Sequence, residues 1–224
     1  MAARKGAVKA VKITPIEIEE IVIKILGDNP LITHNWDHKV RREILDKHTG
    51  EASTTKDKKD PFRDYVGSLY FMDGTDPGTI TTQKQVEEHG YGMPAGGLRK
   101  CAVAACSSIE LQKVVARECF RIVGEAVPKA SAFPGCDGTQ QLVRIDGKPR
   151  MREDMVRVGM NRPDIRYRAE FWPWSCTFTV RFDRGVMSAT QVVNLFNRAG
   201  FGVGLCEWRP QKDGDFGTFS VGTA

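Results

Sequence analysis

The stretch Ala199-Gly-Phe-Gly-Val-Gly-Leu-Cys-Glu-Trp-Arg-Pro-Gln-Lys-Asp-Gly-Asp-Phe-Gly-Thr-Phe-Ser-Val221 carries five glycines, Gly200, Gly202, Gly204, Gly214 and Gly217, among aromatic and β-branched residues. Glycine weakens a strand interior, so this density implies a backbone that turns at positive φ or is closely approached by another backbone or a phosphate. A glycine-lined hairpin satisfies the same pattern. Just before it, Ser188-Ala-Thr-Gln191 fits a capping box, and Val192, Val193, Phe196 and Ala199 recur at helical spacing with Gly200 where a left-handed cap would sit. Residues 201–208 and 216–221 read as two short strands joined by Arg209-Pro-Gln-Lys-Asp-Gly-Asp215. Upstream, Trp174, Cys176, Phe178, Val180 and Phe182 alternate with Ser175, Thr177, Thr179 and Arg181, the pattern of a half-buried strand.

Strand, helix and glycine-rich hairpin in this order predict the second half of a ferredoxin-like βαββαβ unit with an added strand. The expected fold is α+β: a modified ferredoxin-like (RRM-like) sheet with helices on one face, an inserted loop and a projecting β-hairpin, in a single domain over residues 1–224. A chain of 224 residues with 41% apolar content can bury a sizeable core. Its net charge of +5 permits a polyanionic partner without requiring one. The six cysteines, Cys101, Cys106, Cys119, Cys136, Cys176 and Cys206, are scattered without a Cys-x-x-Cys pair, which points to free buried thiols in a reducing compartment. No apolar run reaches the ~20 residues of a membrane span. The expected location is cytoplasmic; the interior of a virion fits the same observations.

From the N-terminus, Arg4, Lys5, Lys9 and Lys12 make either a solvated tail or an arm that touches a neighbour or a phosphate backbone. Residues 16–26 are rich in Ile and Val and predict the first strand, ended by Gly27-Asp-Asn-Pro30. A helix is expected from Asn35, which would align His34, Asp37 and His38 at metal-ligand spacing. Such groups also arise in any polar first turn, and no metal or other cofactor is assigned. His34 is the single candidate catalytic residue, as a general base toward a ribose hydroxyl. Residues 47–60 are polar and aperiodic and predict a mobile insertion. Residues 61–71 return to core-like composition, and residues 72–78 form a turn cluster.

Residues 94–106 read as a helix entered through Pro94, with Leu98, Ala102 and Ala105 on one side. Arg99 and Lys100 near its start oppose the helix dipole, which hints at a phosphate site, although solvation explains them as well. A second helix is expected over residues 109–120, with Leu111, Val114, Val115 and Cys119 as its apolar stripe. Residues 140–165 read as an arginine-rich hairpin turning at Asp146-Gly147. Around it Arg144, Lys148, Arg150, Arg152, Arg157, Arg162, Arg166 and Arg168 outnumber Asp146, Glu153, Asp154 and Asp164. Arginine suits bidentate phosphate contacts; pairing with neighbouring acids or with another copy of the chain is the competing reading. Between Phe171 and Trp174 the inward parity of the strand changes, which predicts a β-bulge at Pro173 and an exposed Trp172 or Trp174.

The turn Gly200-x-Gly-x-Gly204, a short polar stretch, and Gly214-x-Phe-Gly-x-Phe-x-Val221 resemble the glycine-rich loop of the RAMP superfamily. Tyr91-Gly-Met-Pro-Ala-Gly-Gly-Leu-Arg-Lys-Cys101 is similar to the entry into the first main helix of the backbone subunits of CRISPR effector complexes, with Ala-Gly where those prefer serines. Asn29-Pro-Leu-Ile-Thr33 is placed like the Thr-Pro-Leu after their first strand. The resemblance implies a non-enzymatic, sequence-independent binder of single-stranded nucleic acid, RNA rather than DNA, as one copy in a homo-oligomeric, filament-like assembly with further effector subunits as partners; a diverged relative borne by a phage fits as well. Arg99, Lys100, Arg144, Lys148, Arg150, Arg152, Arg166, Arg168, Gly202 and Gly204 are then the expected nucleic-acid contacts, and the hairpin is the expected thumb. Two alternatives stay open: a structural or assembly protein, viral for instance, that uses the fold for self-association, and a metal-independent ribonuclease using His34.

Overall fold

The computed structural model describes residues 14–35, 38–50, 58–129, 138–158 and 162–222. In chain order it contains β1 (Ile18–Gly27), β2 (Leu31–Thr33), α1 (His38–Thr49), α2 (Pro61–Gly67), α3 (Gln83–Glu87), β3 (Tyr91–Pro94), α4 (Ala95–Ala105), α5 (Lys113–Cys119), β4 (Phe120–Val123), β5 (Glu125–Lys129), β6 (Gly138–Asp146), β7 (Pro149–Val158), β8 (Arg162–Phe171), β9 (Ser175–Asp183), α6 (Ala189–Gly202) and β10 (Phe219–Val221).

The elements form an α+β structure with two antiparallel sheets. The larger follows the order β10-β1-β9-β6-β3, with β4 also on β9 and β5 also on β6; the smaller follows β2-β8-β7. β9 is the organising strand, in register with β1 from Ile18↔Asp183 to Leu26↔Ser175. Its alternation works as the sequence predicts: Cys176, Phe178, Val180 and Phe182 are buried, and Thr177 and Arg181 are exposed. The buried face receives α4 and α6. Phe196 of α6 lies 5.2 Å from the Phe178 ring and 6.3 Å from that of Phe120, centroid to centroid. Small residues of α4, Ala95, Cys101, Ala102 and Ala105, are buried and let that helix lie close. α6 begins at the expected capping box: Ser188 Oγ accepts from Gln191 N, and Gln191 Oε1 accepts from Ser188 N.

Several expectations change. α6 runs on through Phe201 and Gly202, and the left-handed residue is Gly204, at φ 72°, rather than Gly200. Among residues 201–208 there is no strand, because Cys206 and Trp208 take positive φ and break any extended ladder. The loop is closed instead by single bonds, Leu205 N to Gly217 O at 2.9 Å and Phe216 N to Trp208 O at 3.0 Å, and of the two expected strands only β10 forms, pairing with β1. The Asp146-Gly147 turn makes no hairpin. It carries the chain from β6 in the larger sheet to β7 in the smaller, and Gly147 is needed because a Cβ there would lie 2.9 Å from Pro173 O. The arginine-rich hairpin is β7 with β8, paired from Pro149↔Phe171 to Val158↔Arg162.

The parity change at Pro173 is likewise a passage between sheets rather than a bulge. β8 ends at Phe171 in the smaller sheet, and β9 starts at Ser175 in the larger. Trp174 is buried and donates its indole N–H to Asn29 O at 2.8 Å, whereas Trp172 is 41% exposed. α5 starts at Lys113, later than expected, and Val114 faces solvent. α1 persists to Thr49 and Asp60 caps α2, so the two ends of the expected insertion belong to helices; its residues 51–57 lie outside the described residues. The described cysteines are free; Cys101, Cys106, Cys119 and Cys176 are buried, Cys206 is half-buried, and Cys136 lies outside the described residues. No helix among the described residues is long and apolar enough to cross a membrane.

At Gly200 a Cβ would fall 1.9 Å from Phe219 O, so α6 and β10 touch backbone to backbone. Alanine normally favours a helix interior by about 1 kcal/mol over glycine. Here Gly200→Ala is expected to destabilise the fold by about 1–3 kcal/mol through overpacking, read as a lower urea midpoint; an unchanged or raised midpoint would contradict this packing.

Candidate nucleic-acid interface

The closing loop and the start of α4 face each other across a cleft of about 450 Å³. Gly97, Lys100, Cys101 and Ala104 of α4 form one wall, residues 204–207 with Arg209 and Gln211 the other, and His34, Tyr70, Met93 and Pro94 the back. Pro94 occupies the N-cap of α4 and offers no side-chain cap, so the first amides of that helix lack a side-chain acceptor. The opposite wall is strained: Cys206 at φ 61° and Trp208 at φ 49° each cost on the order of 1–3 kcal/mol. The surroundings hold them there. Arg209 Nη1 donates to Cys206 O at 2.7 Å, Glu207 N to Ile32 O at 3.0 Å, and Cys101 Sγ to Gly204 O at 3.2 Å.

Glu207 is the electrostatic centre of the cleft. Its Oε1 lies 3.4 Å from His34 Nδ1 and its Oε2 lies 3.9 Å from Arg168 Nη2. Hydrogen bonding to His34, with the charges of His34, Arg168 and Arg209, holds the Glu207 carboxyl below the usual range against the opposing effect of burial. Arg168 stands behind it, 2% exposed and 5.5 Å from the Trp208 ring centroid, and burial lowers its pKa. Its Nε and Nη1 have no hydrogen-bond partner among the described residues. Tyr70 donates its hydroxyl to His34 O at 3.2 Å, and burial pushes its pKa up to about 12. Burial likewise raises Cys101 and Cys206 to about 12, so neither thiol is a nucleophile at neutral pH.

The expected nucleic-acid residues divide into groups. Lys100 and Gly204 line the cleft, and Arg168 reaches it through Glu207. Arg99 turns the other way, its guanidinium donating to Arg117 O beside Arg121 Nη1, where the two cations satisfy carbonyls at the end of α5. Arg150, Arg152 and Arg166 of the hairpin are paired with acids along one face of β7 and β8. Arg150 Nε meets Glu170 Oε1 at 3.0 Å, Arg152 reaches Glu170 at 2.5 Å and Asp154 at 2.8 Å, and Arg166 lies 3.6 Å from Asp164. Arg144 lies on β6 beside Glu125 at 3.6 Å, Lys148 is exposed between β6 and β7, and Gly202 is exposed at the end of α6. Of the proposed metal face, Asp37 lies outside the described residues; among those described, no group of three or more His, Cys, Asp or Glu could hold a metal ion. Glu207, Arg209, Tyr70 and Gln211 escaped the sequence reading. The signal for two of them was present in Glu207-Trp-Arg209, charged residues set inside a glycine-rich stretch.

The chain matches no protein-family model and no curated protein.

Arg152→Ala would leave the buried carboxylates of Asp154 and Glu170 without their main partner. We expect a loss of about 3 kcal/mol in urea unfolding, whereas Arg150→Ala removes an exposed guanidinium and leaves Glu170 paired with Arg152, and should cost no more than about 1 kcal/mol. A depressed Glu207 pKa contributes stability that is present above the ordinary Glu value and is lost as pH falls through the lowered one. Unfolding midpoints followed from neutral pH into the acid range should therefore drop more steeply for the wild type than for Glu207→Gln.

Proposed function

We propose that this chain binds single-stranded nucleic acid, RNA in preference to DNA, largely through the phosphates, and does so as one copy in a homo-oligomeric assembly of the RAMP type. The observation that carries the reading is the convergence of Lys100, Arg209 and the Gly204 turn on one cleft at the uncapped start of α4. Backbone amides at a helix N-terminus and at a left-handed glycine are ready partners for a phosphate, and two cations at the rim add attraction. The strand order supports a ferredoxin-like core: β10, β1, β9 and β4 lie side by side and antiparallel, with α4 between β1 and β4 in the chain and α6 between β9 and β10. The free cysteines fit a cytoplasmic location for such a subunit. The hairpin arginines play a lesser part in this reading than their number suggests, because carboxylates already neutralise Arg150, Arg152 and Arg166.

The experiment is fluorescence anisotropy of a labelled oligouridine against the purified chain across a salt series. Binding should weaken with a log–log slope of about 0.7 for each phosphate neutralised. Lys100→Gln should weaken binding and lower that slope by about 0.7, while Arg150→Gln should change neither. Absence of binding at low salt, or a slope indifferent to Lys100, would refute the reading.

A second reading follows from the His34–Glu207 contact. A histidine oriented by a carboxylate is the arrangement of a general base, and it would make the cleft a metal-independent ribonuclease. Cleavage of RNA that persists unchanged in His34→Ala would exclude it.

A further inference from the structure

The cleft is lined largely by apolar groups, and it contains a carboxylate that would repel a row of phosphates. Its floor is Tyr70, Met93, Pro94 and Leu205, and its volume is about 450 Å³, within the range of small-molecule pockets. We infer that the cleft takes one guanine base, read by the carboxylate of Glu207 while Lys100 at the rim meets the attached phosphate. This rests on the nucleic-acid reading above and narrows it, adding one read base to an otherwise sequence-independent strand.

The chemistry that selects guanine is the donor pattern of the base edge. An ionised carboxylate only accepts, and its two oxygens are spaced for two parallel N–H donors. Guanine presents such a pair in N1–H and the N2 amino group. Adenine and cytosine set an acceptor beside their amino donor, and uracil flanks its one donor with two carbonyls, so each would place an acceptor against a carboxylate oxygen. Glu207 is kept in the accepting form and oriented by His34, beside it in the cavity lining at 3.4 Å from one oxygen, and by the buried Arg168 at 3.9 Å from the other. Its side chain is still 35% exposed, so lone pairs remain open to the cavity. The loop that carries Glu207 is fixed on both sides, by Glu207 N to Ile32 O and by Arg209 to Cys206 O. A carboxylate meant only for solvation would need neither a buried arginine behind it nor a strained backbone beneath it.

The test is calorimetric titration of the chain with guanosine, inosine and adenosine monophosphates, together with anisotropy of an oligouridine bearing a single guanosine, inosine or adenosine. Guanosine monophosphate should bind at least about tenfold more tightly than adenosine monophosphate, with inosine, which lacks the N2 amino group, between them. Glu207→Gln should close that gap, because an amide presents one donor and one acceptor. Equal affinity for the three nucleotides, a gap unchanged in Glu207→Gln, or no binding of any nucleotide would overturn the assignment. Strand binding that ignores the central base overturns it too and leaves the phosphate-based reading standing. A guanosine preference without any binding of oligouridine does the opposite: it supports the guanine site and removes the nucleic-acid reading.

Discussion

The contact on which most of this structure depends is the meeting of α6 and β10 at Gly200. Backbone there runs against backbone at a spacing that excludes a Cβ, and two things follow. β10 is held against β1, completing one edge of the larger sheet, with Ile25 opposite Val221 and Gly27 opposite Phe219. The segment between α6 and β10 then has both ends pinned and must close within residues 203–218, which it does through positive-φ turns at Gly204, Cys206, Trp208, Asp213 and Gly217. The cleft is the hollow this forced closure leaves against α4. Its geometry is a product of chain length and close packing before any side-chain chemistry is considered.

Charge is distributed over this frame in two ways. On β7 and β8 the cations and acids interleave, and Asp154, Glu170 and Arg168 are buried within that ladder, so its electrostatics serve the smaller sheet itself. Arg152 also lies 4.6 Å from the centroid of Phe216, and so ties the hairpin to the closing loop. In the cleft the balance differs, since Lys100 and Arg209 share it with one carboxylate that already answers to His34 and Arg168. Arg150, Arg152 and Arg166 are thus committed to acids of their own sheet, whereas Lys100 of the cleft is not in any such ladder.

Much of this was written in local pattern. The alternation in β9, the Ser188 capping box, the Ile- and Val-rich β1 and the Pro94 entry to α4 were legible because each depends on residues within one or two turns of each other. Three of the misreadings share one cause. At Gly147, Gly200 and Pro173 the decisive neighbour is far away in the chain: Pro173 for the first, Phe219 for the second, and a second sheet for the third. Glycine density implies positive φ or close approach, and both occur, at Gly204 and Gly217 and at Gly200, but which backbone approaches, and hence that residues 201–208 hold no strand, is a long-range fact. The site was half legible for the same reason. Lys100 and Gly204 stood out in the sequence, whereas Glu207 and Arg209 gain meaning only when β2 and β8 bring His34 and Arg168 beside them.

The passage at Trp172 and Pro173 bears on how the parts communicate. Residues 172–174 alone separate β8 from β9, so the arm is joined by a very short tether to the strand at the heart of the larger sheet. Arg152 and Arg168 of the same arm lie against Phe216 and Trp208 of the closing loop, and Arg168 also lies near Glu207 in the wall of the cavity. A load applied to the arm must either break those contacts or carry the wall with it. The arm is thus tied to the larger sheet by two routes, the short link into β9 and the cation contacts on the closing loop.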